Sequence, residues 1–78
     1  MANLTLYVRD GCHLCEQFLV ELSLDLGPRF EDLEVLEVDR DADLAARYGL
    51  RVPVFAVDGA VACEGAYDAG QVRRALRL

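Results

Sequence analysis

Two cysteines separated by two residues, Cys12-His13-Leu14-Cys15, are the residues whose types and spacing point most directly to chemistry. They follow an apolar, strand-like run, Leu4-Thr5-Leu6-Tyr7-Val8, and open a stretch with helical periodicity. A thiolate needs positive potential around it, and the first turn of a helix supplies that through unpaired backbone N–H groups and the macrodipole. Two cysteines three apart on that turn can close a small ring, so one attacks a disulfide and the other resolves the mixed disulfide. The expectation is dithiol–disulfide exchange. Cys12 is the candidate nucleophile at the helix start, and Cys15, one turn deeper and shielded by Leu14 and Leu19, is the candidate resolving thiol.

Other residues could serve the same chemistry. His13, bearing the side chain best suited to gain and lose a proton in the physiological range, could tune the Cys12 thiolate or move a proton, or could be a solvated side chain. All eight basic residues are arginine, and each is a planar fork able to hold a carboxylate at two points. Arg9 and Arg51 are candidates for gripping substrate carboxylates, those of glutathione included; surface solubility is the competing reading. Cys63 reads as a small apolar residue facing the core or the hairpin surface, with a metal or regulatory part as its functional alternative. Cys12, Cys15, Cys63 and His13 are also four potential zinc ligands, which makes a zinc-binding protein using Cys12 and Cys15 one alternative. His13 lies between the paired cysteines, where its ring would rarely reach the same tetrahedral ion, so no metal is expected. The other alternative is a binding module that has lost catalysis, since a fold alone never establishes activity.

The chain has 78 residues, enough for one packed core and too few for two, so a single domain over 1–78 is expected. Its 54% hydrophobic and 28% charged content is ordinary for a soluble globular protein. No run approaches the roughly 18 consecutive apolar residues of a membrane span. The start, Met1-Ala2-Asn3-Leu4-Thr5-Leu6, has no positive n-region, long apolar stretch or small-residue cleavage site. Three cysteines make an odd number, against a secreted disulfide framework. These features give the expectation of a cytoplasmic monomer. A net charge of −6 opposes phosphate attraction, so neither nucleic acid nor a membrane is an expected partner.

The elements that must position the dithiol follow from periodicity. Residues 3–9 read as a strand with Leu4, Leu6 and Val8 on one face and Thr5 and Tyr7 on the other, suited to a central position. From Cys12 to about Leu26, Leu14, Phe18 and Leu22 recur at helical spacing, with Cys15, Leu19, Leu22 and Leu26 on an overlapping stripe, and Gly27-Pro28 ends the helix. Leu33 to Asp39 reads as a short edge strand, because Glu34 and Glu37 interrupt it. Asp41 or Asp43 can cap a short helix carrying Leu44, Ala45 and Tyr48, with Gly49 at the place of a left-handed C-terminal cap. Val52 to Val57 and Ala60 to Cys63 flank Asp58-Gly59, a strong two-residue hairpin signal. Asp68 with Gln71 opens a last helix bearing Val72, Ala75 and Leu76, with Arg73, Arg74 and Arg77 toward its end. The order β-α-β-α-β-β-α predicts an α/β fold, a four-stranded mixed sheet with helices on both faces, whose first βαβ is a right-handed parallel crossover.

With that order in place, Tyr7-Val8-Arg9-Asp10-Gly11-Cys12-His13-Leu14-Cys15 resembles the glutaredoxin segment Tyr-x-Lys-x-x-Cys-x-x-Cys, Arg9 standing where the family has its lysine. Val52-Pro53, about 40 residues on, resembles the family's Val-Pro, and Phe55 to Asp68 resembles its hairpin and following glycine turn. The chain thus looks like a glutaredoxin-like small protein of the thioredoxin-fold superfamily. The resemblance implies a thioredoxin-like fold and a thiol–disulfide oxidoreductase working through Cys12 and Cys15. It implies a cis Val52-Pro53 bond that presents the Val52 backbone to extended polypeptide or glutathione, and a substrate-binding part for Gly65 and Asp68. No bound cofactor is implied; glutathione enters as a possible co-substrate, and the partner is a disulfide-containing protein or glutathione. The sequence departs from the family at three places. His13-Leu14 replaces the usual Pro-Tyr, Cys63-Glu64-Gly65-Ala66-Tyr67-Asp68 replaces Gly-Gly followed by an Asp pair, and Tyr48-Gly49-Leu50-Arg51 is closer to the thioredoxin wording Tyr-Gly-x-Arg.

Overall fold

The computed structural model describes residues 3–77; Met1, Ala2 and Leu78, and with them part of the amino-terminal reading and the outer ends of the 1–78 domain, lie outside the described residues. Leu4–Val8 (β1) pairs in parallel with Leu33–Glu37 (β2) on one side and antiparallel with Val54–Val57 (β3) on the other. Ala60–Glu64 (β4) returns antiparallel to β3, giving the order β2-β1-β3-β4. The first strand is therefore central and β2 is an edge, as the alternation and the two glutamates imply. Three helices complete a thioredoxin-like arrangement: His13–Leu26 (α1), Ala42–Tyr48 (α2) and Ala69–Leu76 (α3). No helix among the described residues is long and apolar enough to cross a membrane.

The two-residue period of the strands divides the core into two layers. Leu4 and Leu6 of β1 and Phe55 of β3 pack with Phe18, Leu22 and Leu26 of α1 and Val72 and Leu76 of α3. On the opposite face Tyr7 and Val54 meet Val38, Leu44 and Tyr48, beneath α2. Each fully buried Leu or Phe in such a layer is worth about 1.5–3 kcal/mol. The turn that folds β3 onto β4 has Asp58 at φ 53° and Gly59 at φ 84°, both left-handed, which matches the right-handed twist of the strands it joins.

Several sequence-based boundaries need correction. The strand expected over Leu33–Asp39 ends at Glu37, because Val38–Arg40 form a 3₁₀ turn that buries Val38 under α2. The strand expected from Val52 begins at Val54, since Pro53 has no N–H and the Val52 N–H is given to the Tyr48 carbonyl. Gly49 is right-handed, at φ −55° and ψ −35°, instead of left-handed. The chain there continues into a further turn in which the Arg51 and Val52 N–H groups both donate to Tyr48 O. Glycine is required for a different reason: a Cβ at position 49 would run into the Ala45 carbonyl oxygen and the Arg9 guanidinium. Leu14 is 41% exposed and does not shield Cys15; the buried stripe of α1 is Cys15, Phe18, Leu22 and Leu26.

Candidate active site

Beyond Val8, the chain turns through Arg9, Asp10 and Gly11, with Gly11 at φ 75° and the Cys12 N–H donating to Arg9 O at 3.2 Å. This turn places Cys12 at the N-cap of α1, with extended backbone. Its Sγ accepts the Cys15 N–H at 3.1 Å, and its carbonyl accepts the Glu16 N–H. A cysteine sulfur thus occupies the place where a serine or aspartate oxygen usually satisfies a free donor of the first turn. The helix starts at His13, one residue later than the periodicity suggests, because Cys12 itself is the cap. Cys12 is half-buried and Cys15 is buried. Their sulfurs lie at disulfide distance, with Cα atoms 5.2 Å apart, inside the range of about 4.4–6.8 Å that a disulfide allows. A cleft beside the pair is lined by Leu19 and Val35 and rimmed by Asp10, Glu16 and Glu37.

His13 is exposed, with one ring nitrogen 3.2 Å from Gln17 Nε2 and the other 3.7 Å from Glu16 Oε2. Arg9 is already engaged: its Nε and Nη2 donate to the Asp39 carboxylate at 3.0 and 2.9 Å. Arg51 is engaged in the same way, with Nε and Nη2 donating to Glu64 at 2.7 and 3.2 Å, while its guanidinium lies 5.5 Å from the Tyr48 ring centroid. That hydrogen bond holds the Glu64 carboxyl below its ordinary range. Both arginines expected to hold substrate carboxylates therefore hold carboxylates of their own chain.

The Val52–Pro53 bond is cis, Pro53 is buried, and its carbonyl accepts the Gly65 N–H at 2.9 Å, with Gly65 at φ 72°. Arg51, Pro53, Glu64 and Gly65 thus form one tied cluster where the turn before β3 meets the end of β4. This cluster reaches the cysteine loop through α2: Tyr48 stacks on Tyr7 at 4.2 Å, and the Arg9 guanidinium lies against Gly49. Asp68 is the N-cap of α3, its Oδ1 accepting the Gln71 N–H at 3.0 Å. Cys63 is buried in the α1/α3 layer, its Sγ between Ala66 O and the Asp68 N–H, and burial pushes its thiol up. Among the described residues, Cys12, Cys15, Cys63 and His13 do not gather into a set of metal ligands.

Sequence reasoning missed the two carboxylates that occupy the arginines. A signal for Asp39 existed: the parallel register pairs Val8 with Glu37, so residues just past the two strand ends become neighbours. Glu64 lacked such a cue, because its meeting with Arg51 depends on the turn before β3.

A parallel βαβ followed by a β-hairpin and a helix, with a CxxC pair capping the first helix, defines a thioredoxin-like protein with a potential redox dithiol. Within that class, the chain belongs to the Glutaredoxin-like domain (DUF836) family, whose model matches residues 3–77. It is similar to protein Ne2328 from Nitrosomonas europaea, at 29% identity over 94% of this chain and 88% of that one, with a TM-score of 0.80. It is also similar to protein XcR50 from X. campestris, at 35% identity over 95% of both chains, with a TM-score of 0.69. Protein SA0789 from Staphylococcus aureus, described as of unknown function, shares the fold at 13% identity over 97% of this chain and 88% of that one, with a TM-score of 0.71. No curated protein sequence matches the chain.

Proposed function

We propose that the protein is a thiol–disulfide oxidoreductase of the cytoplasm, acting on disulfides of proteins or of glutathione. The observation that carries the reading is Cys12 as the N-cap of α1, its sulfur accepting a first-turn N–H within ring-closing reach of Cys15. In the reducing direction the Cys12 thiolate attacks one sulfur of a substrate disulfide. The substrate S–S bond breaks, a Cys12–substrate mixed disulfide forms, and the first substrate thiolate leaves and takes a proton from water. Cys15, deprotonated in turn, attacks Cys12 Sγ, and the second substrate thiolate departs. Two electrons have then passed from the dithiol to the substrate, leaving Cys12–Cys15 oxidised. A thiol-bearing reductant restores the dithiol by the same steps reversed.

Burial of Cys15 supports its part as resolving thiol, since it is shielded from outside disulfides yet adjacent to the mixed disulfide. His13 contributes a titratable group to the same first turn, shared with Glu16 and Gln17. The cluster of Arg51, Val52, Pro53 and Gly65 supports a positioning part for the turn before β3. A substrate carboxylate would have to displace Asp39 from Arg9 or Glu64 from Arg51 to be held there.

Mass and thiol counting on reduced and oxidised protein, with turnover of small and protein disulfides, tests the reading. The expected result is a two-proton mass loss confined to Cys12 and Cys15, and a stable mixed disulfide on Cys12 in Cys15→Ser. A dithiol that cycles without turning over any disulfide would leave a binding module, and stoichiometric zinc on the reduced cysteines would replace the proposal with a metal protein.

A further inference from the structure

Around the dithiol the charges are arranged unevenly. The cleft that exposes Cys12 is lined by three carboxylates, Asp10, Glu16 and Glu37, and by one cation, Arg9. The cations near it are committed: Arg9 to Asp39, and Arg40 to Glu37 through Nε at 2.7 Å. His13, beside Glu16, is the remaining titratable base on the first turn. Asp10 and Glu16 are exposed, and neither is paired with an arginine among the described contacts. The whole chain adds to the same sign, with a net charge of −6. The shape is selective as well. The recess at the sulfurs is about 170 Å³, below the roughly 300 Å³ at which pockets enclose a small ligand. It shares Val8, Val35 and Glu37 with a larger cavity of about 640 Å³ that reaches Leu44 on α2. A small recess beside a larger cavity suits a chain lying across the surface with one sulfur lowered into the recess.

We propose that the preferred substrate of this site is a disulfide carried on an extended, basic polypeptide segment, and that glutathione is a poor one. The inference rests on the oxidoreductase reading above and specifies its substrate class. Glutathione has more carboxylates than ammonium groups. It would meet an acidic rim and two arginines already neutralised within the chain. Arginine or lysine residues flanking a substrate cysteine would instead be drawn to Asp10 and Glu16, while apolar neighbours cover Leu19 and Val35. With Arg9 and Arg40 each paired, the unpaired charges Asp10 and Glu16 leave the cleft with an excess of one sign, and such an excess raises encounter rates for the opposite sign by up to about 10- to 1000-fold, with steep salt dependence.

The test is single-turnover oxidation of pre-reduced protein, followed by loss of the Cys12 and Cys15 thiols. Four disulfides are compared: one peptide disulfide flanked by arginine, its glutamate-flanked counterpart, glutathione disulfide and neutral hydroxyethyl disulfide. The arginine-flanked peptide is expected to react at least about tenfold faster than the glutamate-flanked one or glutathione disulfide at low salt. That ratio should shrink toward unity near 1 M salt, where the screening length is about 3 Å. Asp10→Asn combined with Glu16→Gln should reduce the same ratio, which cancels any change in thiol reactivity because both rates use one nucleophile. The salt series on the unaltered chain stands whether or not the variant folds. Hydroxyethyl disulfide reacting without any charge ranking, or glutathione disulfide reacting as fast as the basic peptide, overturns the substrate assignment alone. Failure of all four to react overturns the oxidoreductase reading with it.

Discussion

A sulfur at a helix N-cap is subject to two opposed influences, and their sizes decide which prevails. Cysteines at helix N-termini are brought down to about 3.5–7.5 from an ordinary value near 8.5. The opposing carboxylates, Asp10 and Glu16, are exposed, and each unit charge at 4 Å counts for between about 1 kcal/mol in bulk water and about 4 kcal/mol near a protein surface. The amide donor, the Cys15 N–H at 3.1 Å from Cys12 Sγ, is expected to prevail at Cys12. The two cysteines were legible from spacing alone, because their chemistry depends on a local turn. The arginine partners were not, since Arg9–Asp39 and Arg51–Glu64 join segments 30 and 13 residues apart. Gly49 was legible as a special position but for the wrong cause: a left-handed cap was expected, whereas the constraint is the close approach of the Ala45 carbonyl oxygen, followed by that of the Arg9 guanidinium. Gly49→Ala is accordingly expected to lower stability by about 1–3 kcal/mol, as overpacking does. Urea unfolding measures it, and an unchanged midpoint would mean that both the Ala45 carbonyl and the Arg9 guanidinium give way freely.

At the level of elements, α1 and α3 are joined by more than their apolar faces. The Tyr67 hydroxyl donates to Asp25 near the end of α1, and Arg73 of α3 donates to the same carboxylate at 3.0 and 3.1 Å. The Tyr67 hydrogen bond first, and that of Arg73 second, holds the Asp25 carboxyl below its ordinary range. Between the depressed folded value and an unfolded value near 3.9, the unfolded chain binds more protons, so stability rises with pH. The contribution is fully present above about 3.9 and is lost as pH falls through the folded value. Asp25→Asn should therefore flatten the acid limb of a stability profile taken by urea midpoints; an acid limb of unchanged slope would assign the acid sensitivity to other groups. The opposite sign holds at Cys63 and Tyr67, both raised chiefly by burial. Their stabilisation is complete below about 8.5 and about 10 and declines as pH rises through the folded values. Cys63→Ala should make the alkaline limb shallower in the same measurement, and a limb as steep as before would remove Cys63 from it. The helix and strand types were readable from periodicity and caps, with Asp41, Asp58-Gly59 and Asp68 acting where their chemistry suggests. Strand ends at Glu37 and Val54 were not, because tertiary demands on Val38 and the missing N–H of Pro53 set them.

Over the whole molecule, two apolar layers share one sheet, and a chain of 78 residues commands a total stability of only roughly 4–12 kcal/mol. Phe18 reaches across the larger layer to Tyr67, with ring centroids 4.9 Å apart. Phe18→Ala should cost about 3–5 kcal/mol, a large share of that total, and calorimetry should show a correspondingly early melt; a loss below about 1 kcal/mol would contradict the layer assignment. The order of elements and the alternation of faces followed from the sequence pattern, since burial on a sheet is periodic, but the membership of the layers did not, Leu14 of the expected stripe being 41% exposed. The electrostatics of the cleft did not follow, because they arise from pairings that only the folded chain brings together. The claim on which the functional account depends is that this architecture makes one sulfur acidic. Alkylation of the reduced protein by iodoacetamide across a pH titration, with Cys12 read by mass, tests it most directly. The account predicts a Cys12 midpoint well below about 8.5; a midpoint at or above that value would contradict it.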